Sequence, residues 1–162
     1  MAFDVRPAGV QEETAGEPRA VAAENARRKA LATPAELVLG ADTLVTVDGD
    51  ILGKPRDAAQ AREYLGRLAG RAHEVVGGIA LAADGELIAS DVVVTTVRFR
   101  ALDDALLDWY VATGEWQGRA GGYAIQEKGA ALVAGIDGDY LNVVGLPLAR
   151  LLELEPGLLD QS

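Results

Sequence analysis

The sequence predicts an α/β fold with a mixed, long-stranded, twisted sheet flanked by helices. Three observations carry that expectation. Leu37 to Val47 is too apolar for a sheet wetted on one side, so it reads as a buried strand. Asp48-Gly49-Asp50 and Asp84-Gly85 are hairpin signals between strand-like runs. Segments with three- and four-residue apolar spacing alternate with those hairpins.

Taken in order, residues 1–16 read as one short extended piece around Phe3 and Val5, running into an acidic stretch at Glu12-Glu13. Pro18 to Ala32 reads as a helix: Pro18 suits a first turn, and Val21, Ala22, Asn25, Ala26, Lys29 and Ala30 recur at helical spacing. After the strand at 37–47 and its turn, Asp57 caps a helix through about Leu68, with Gly70 just past its end. His73–Ala83 and Glu86–Arg100 form two strands across Asp84-Gly85, the second rich in β-branched residues. Asp103 caps a further helix ending at Gly114. A glycine-rich stretch, 118–122, leads into Tyr123-Ala124-Ile125-Gln126. Strands are expected at 129–136 and 139–144, and a last helix from Pro147.

The chain of 162 residues is expected to be one domain, 1–162, with no internal repeat or linker. No apolar run reaches the roughly 18 residues of a membrane span, and the N-terminus lacks the pattern of a signal peptide. With no cysteine, disulfides and thiolate metal sites are excluded. A soluble, cytoplasmic protein is the expectation. A net charge of −10 repels nucleic acid and anionic membranes, so neither is an expected partner. A small anionic substrate would need a local cationic pocket or a metal. The cations comprise twelve Arg and only three Lys (Lys29, Lys54, Lys128), so a lysine stands out where a compact ammonium is wanted.

The most informative stretch ends its strand on Gly40-Ala41-Asp42-Thr43 and returns through the hairpin to Gly53-Lys54-Pro55. Asp42 would ligate a hard cation or take a proton from water; otherwise it is a strand-end aspartate accepting backbone N–H bonds. Lys54, on a loop stiffened by Pro55, suits phosphate neutralisation, though a surface lysine there is equally ordinary. Lys29 borders a small-residue helix face, where it reaches into a cleft or merely snorkels. Gln126 could read a base edge with its paired donor and acceptor. Glu12 and Glu13 read, by themselves, as a solvated turn. His73 has no Ser or Cys motif attached and reads as structural.

Seven segments in order resemble the Maf family of nucleoside triphosphate pyrophosphatases, over nearly the whole chain from about residue 9. They are Ala26-Arg27-Arg28-Lys29-Ala30, Gly40-Ala41-Asp42-Thr43, Gly53-Lys54-Pro55, 68–75 (Leu-Ala-Gly-Arg-Ala-His-Glu-Val), 120–126 (Ala-Gly-Gly-Tyr-Ala-Ile-Gln), 136–140 (Ile-Asp-Gly-Asp-Tyr) and 143–147 (Val-Val-Gly-Leu-Pro). The resemblance implies hydrolysis of a triphosphate to the monophosphate and pyrophosphate with Mg²⁺ or Mn²⁺. Asp42 matches the proton acceptor, and Lys29, Lys54 and Glu12 match other active-site positions, with Asp42 and Glu12 as metal ligands. Thr43 and Gln126 resemble the branch acting on dTTP and UTP. House-cleaning of unwanted nucleotides, a link to septum formation and a homodimer are further implications.

The match breaks at the start. The family opens with an apolar strand and a Ser-x-Ser-Pro-Arg-Arg loop leading into a helix, and this chain has no such sequence. The first strand and helix are therefore expected to be missing, leaving apolar sheet surface without its cover. Arg119 also stands where the family often has lysine. The sequence leaves open an active pyrophosphatase, a catalytically dead nucleotide-binding or interaction module, and an enzyme for other noncanonical nucleotides such as ITP or XTP.

Overall fold

The computed structural model describes residues 4–159. Phe3, half of the expected extended piece, lies outside them; from Asp4 to Gly16 the chain runs without regular structure. Helix α1 (Pro18–Ala32) is capped by Glu17, whose carboxylate accepts from the backbone N–H groups of Arg19 and Ala20. Strands β1 (Leu37–Val47) and β2 (Asp50–Leu52) form a hairpin over Asp48 and Gly49, whose φ values of 55° and 85° suit an Asp-Gly turn of the I′ kind. Helix α2 (Ala58–Leu68) starts on the Asp57 cap. Strands β3 (Ala72–Ala83) and β4 (Glu86–Phe99) turn at Asp84-Gly85 in the same way. Helix α3 (Asp104–Ala112), strand β5 (Val133–Asp137) and helices α4 (Tyr140–Val144) and α5 (Leu148–Leu154) follow.

The sheet order is β2-β1-β3-β4-β5. The long-stranded α/β architecture holds, but each pairing among the described strands is antiparallel where a mixed sheet was expected. Hairpin connections join β1 to β2 and β3 to β4, and these impose the antiparallel sense locally.

Alternation along the strands sends side chains to two covered faces. Val21 and Ala22 of α1 pack on Leu44 and Val76 on one face. On the other, Val45, Val75 and Val97 meet Leu65 and Leu68 of α2 and Leu107 and Tyr110 of α3, while Leu151 of α5 packs on Ile79 and Leu81. Strand β3 lies at the centre, so residues 75–82 are buried without a break.

Two expected strands differ. The segment 127–132 is a 3-10 turn, so β5 begins only at Val133. Residues 140–144, expected as strand, are helix α4: Asp139 caps it by accepting from the Leu141 N–H, and Gly145 ends it at φ 133°. Five mostly apolar residues are too few for periodicity to separate strand from helix.

Strand β2 covers only Val45–Val47 of β1. Among the described residues no strand pairs with the outer edge of β1 from Leu37 to Leu44. A groove of about 760 Å³ runs there between residues 4–10 and that edge.

Candidate active site

The site is built where α1 touches the sheet. A Cβ on Gly40 would fall 2.1 Å from the Ala26 carbonyl oxygen, and one on Gly78 2.2 Å from that of Ala22. Glycine at both positions, opposite Ala22, Ala26 and Ala30, lets the helix backbone rest directly on β1 and β3. Asp42 pairs in register with Gly78, so its side chain rises beside the glycine surface that α1 covers. Asn25 and Lys29, one helical turn apart, reach it from the helix.

Asp42 is 7 % exposed. Its Oδ1 accepts from Lys29 Nζ at 2.6 Å, and its Oδ2 from Asn25 Nδ2 at 3.0 Å. Lys29 also donates to the Ala41 carbonyl at 3.2 Å and lies 2.7 Å from Glu12 Oε1. Its three donors thus point at three oxygens. Burial is the largest single influence on Lys29 and opposes its charge, yet the bonds to Asp42 and Glu12 and their fields raise its pKa above the usual lysine value. The Lys29 hydrogen bond holds Glu12 below the ordinary carboxylate range, against a desolvation that pushes upward, with the fields of Lys29 and Lys54 helping.

Glu12 is therefore part of an ion-pair network rather than a merely solvated turn. Asn25 fixes its segment, accepting from the Glu13 N–H at 2.7 Å and donating to the Glu13 carbonyl at 3.0 Å. Arg28 adds a bond to the Gln11 carbonyl at 3.3 Å and an ion pair with the Glu13 carboxylate.

One cavity of about 630 Å³ is lined by Glu12, Lys29, Asp42, Thr43, Lys54 and Gln126 together, so the structure brings together all six residues singled out in the sequence. Lys54 is exposed, with no ion pair within 4 Å among the described residues. The turn at 118–122 closes one side, its Gly121 N–H donating to the Gly53 carbonyl at 3.1 Å, and brings Arg119 to the rim. Tyr64, Ile125 and Val143 form an apolar wall.

The loop carrying Gln126 is pinned by residues the sequence did not single out. The Ala124 N–H donates to Tyr110 Oη at 3.1 Å, and the Gly129 N–H to the Glu115 carboxylate at 3.1 Å. His73 does not line the cavity but bonds a residue that does: Nε2 lies 2.8 Å from Tyr123 Oη, and its ring stands edge-on to Phe99. Burial pushes its pKa down to about 4, as suits a core histidine.

No cluster of three or more His, Asp or Glu suited to a metal occurs among the described residues. Glu12 and Asp42 each place a carboxylate oxygen within 2.7 Å of Lys29 Nζ, so the ammonium occupies the point on which the two converge. Carboxylate oxygens are donors that Mg²⁺ or Mn²⁺ takes, and such an ion would bind here only with Lys29 turned aside.

A family model described as "Maf-like protein" matches residues 1–155. The chain is 50 % identical over 135 residues to a dTTP/UTP pyrophosphatase of Symbiobacterium thermophilum, covering 83 % of this chain and 69 % of that protein. It is 50 % identical over 160 residues to one from Anaeromyxobacter sp. strain Fw109-5, covering 95 % and 78 %. A dTTP/UTP pyrophosphatase of Pyrococcus furiosus is 44 % identical over 156 residues, covering 93 % and 82 %. This chain belongs to the Maf family.

Proposed function

We propose that this chain, acting as one Maf-like domain, hydrolyses dTTP and UTP between the α- and β-phosphates, releasing the nucleoside monophosphate and pyrophosphate. The observation that carries the reading is the convergence of Glu12, Lys29, Asp42, Thr43, Lys54 and Gln126 on one cavity. The names of the relatives supply the substrate pair.

A triphosphate is strongly anionic and the protein carries a net charge of −10, so local cations must offset the repulsion. Lys54 meets the phosphates, its ammonium being exposed and unengaged by any described carboxylate within 4 Å. Lys29 orients Asp42 through the bond to Oδ1, and Asp42 takes the proton from the attacking water. Mg²⁺ or Mn²⁺, held by Glu12 and Asp42 with phosphate oxygens, would supply charge neutralisation and a more acidic bound water. The apolar wall seats the base while Thr43 and Gln126 select it. The reaction clears unwanted nucleotides from the cytoplasm.

Pyrophosphate release with Mg²⁺ across dTTP, UTP, CTP, GTP, ITP and XTP tests the reading. Turnover that favours dTTP and UTP supports it. A preference for ITP or XTP overturns the base assignment, and no turnover from folded protein overturns the activity.

A further inference from the structure

Asn25 is 1 % exposed in the middle of α1, among Val21, Ala22, Ala26 and Ala30, where a polar amide is costly unless every bond is made. Both its amide hydrogens and its oxygen are used. Two of the three bonds grip the backbone N–H and C=O of Glu13, and the third ends on Asp42 Oδ2. We infer that Asn25 is a positioning residue for the hydrolysis: its single amide fixes the rotation of the Asp42 carboxylate and sets Glu12 at the cavity. This inference rests on the pyrophosphatase reading above. The third bond leaves Asp42 with Oδ2 turned to the helix and Oδ1 turned to Lys29, one defined orientation for a group that must accept a proton.

The charged groups around the pair are Lys29 and Arg28 on α1, Glu12 and Glu13 on the segment before it, and Lys54 beyond β2. Asn25→Ser removes the amide, and with it the donor facing Asp42 Oδ2 and the pair of bonds to Glu13.

The test measures kcat and KM for pyrophosphate release from dTTP by wild type and N25S, with melting temperatures alongside. We expect kcat lower by about tenfold or more with KM nearly unchanged, in protein that stays folded at the assay temperature. An unchanged kcat, or a kcat that falls only in step with the folded fraction, makes Asn25 a structural clamp and overturns the inference. Should N25S not fold, Asn25→Gln decides by the same split of kcat and KM. If the wild type releases no pyrophosphate, the proposed function fails and the inference, which rests on it, fails with it.

Discussion

Lys29 Nζ stands 2.6 Å from Asp42 Oδ1, a bond that crosses from helix to sheet. It depends on two glycines. With Gly40 and Gly78 under Ala26 and Ala22, the backbone of α1 approaches β1 and β3 closely enough for a lysine to meet a carboxylate on the sheet floor. The packing of small residues and the chemistry of the site are one arrangement.

Gly40→Ala should therefore damage both. The added Cβ would fall 2.1 Å from a backbone oxygen, so the helix itself must move. The cost is expected at or above the top of the roughly 1–3 kcal/mol range for overpacking, with turnover falling alongside. Urea unfolding and pyrophosphate release on the same preparation check both effects. Unchanged stability would show that α1 is not tightly seated on β1.

Asp42→Asn should keep the fold, with an amide oxygen still accepting from Lys29, but at some loss of stability because its NH2 then faces the Asn25 donor. Turnover should fall by about a hundredfold or more through loss of the proton acceptor. Circular dichroism and steady-state kinetics separate the two effects, and wild-type-like turnover would remove Asp42 from the mechanism.

Lys54→Ala removes an exposed cation from the cavity rim and should leave stability nearly unchanged. If Lys54 offsets charge building on the phosphates, the barrier should rise by roughly 2.7–4 kcal/mol, the scale for losing one such donor. Kinetics of the variant read this directly, and Lys54→Arg tests whether charge alone suffices.

His73 sets a pH dependence of stability. Folded, it stays neutral down to about pH 4 because it is buried, whereas an unfolded histidine takes up a proton near pH 6.5. Its contribution is complete above about pH 6.5 and shrinks as the pH falls, reaching a loss of about 3 kcal/mol near pH 4. Urea unfolding of wild type and His73→Gln over that window should show a steeper decline in the wild type. Parallel curves would place the acid sensitivity elsewhere.

Part of this site was legible in the sequence because its chemistry breaks a local pattern. Lys54 follows the hairpin and Gln126 a glycine-rich turn. Asp42, expected at a strand end, stands instead in the middle of β1, where it pairs with Gly78 and the strand continues to Val47. The helix caps at Asp57 and Asp103 and both Asp-Gly hairpins were legible for the same local reason. Asn25 was not, although a polar residue on an otherwise small, apolar helix stripe was its signal. Its partners lie 12 and 17 residues away and meet it only in the folded chain. Tyr110 and Glu115, which hold the Gln126 loop, escaped notice likewise. Helix α4 was misread because its apolar residues outweighed the Gly138-Asp139 start signal, and strand polarity leaves no mark on apolar periodicity.

Cleavage between the α- and β-phosphates is fixed by the products it leaves. Phosphorus-31 NMR of a dTTP reaction with wild-type protein and Mg²⁺ identifies the products without a coupled assay. dTMP and pyrophosphate should appear together in equal amounts. Formation of dTDP and inorganic phosphate, or persistence of dTTP with folded protein, would contradict this.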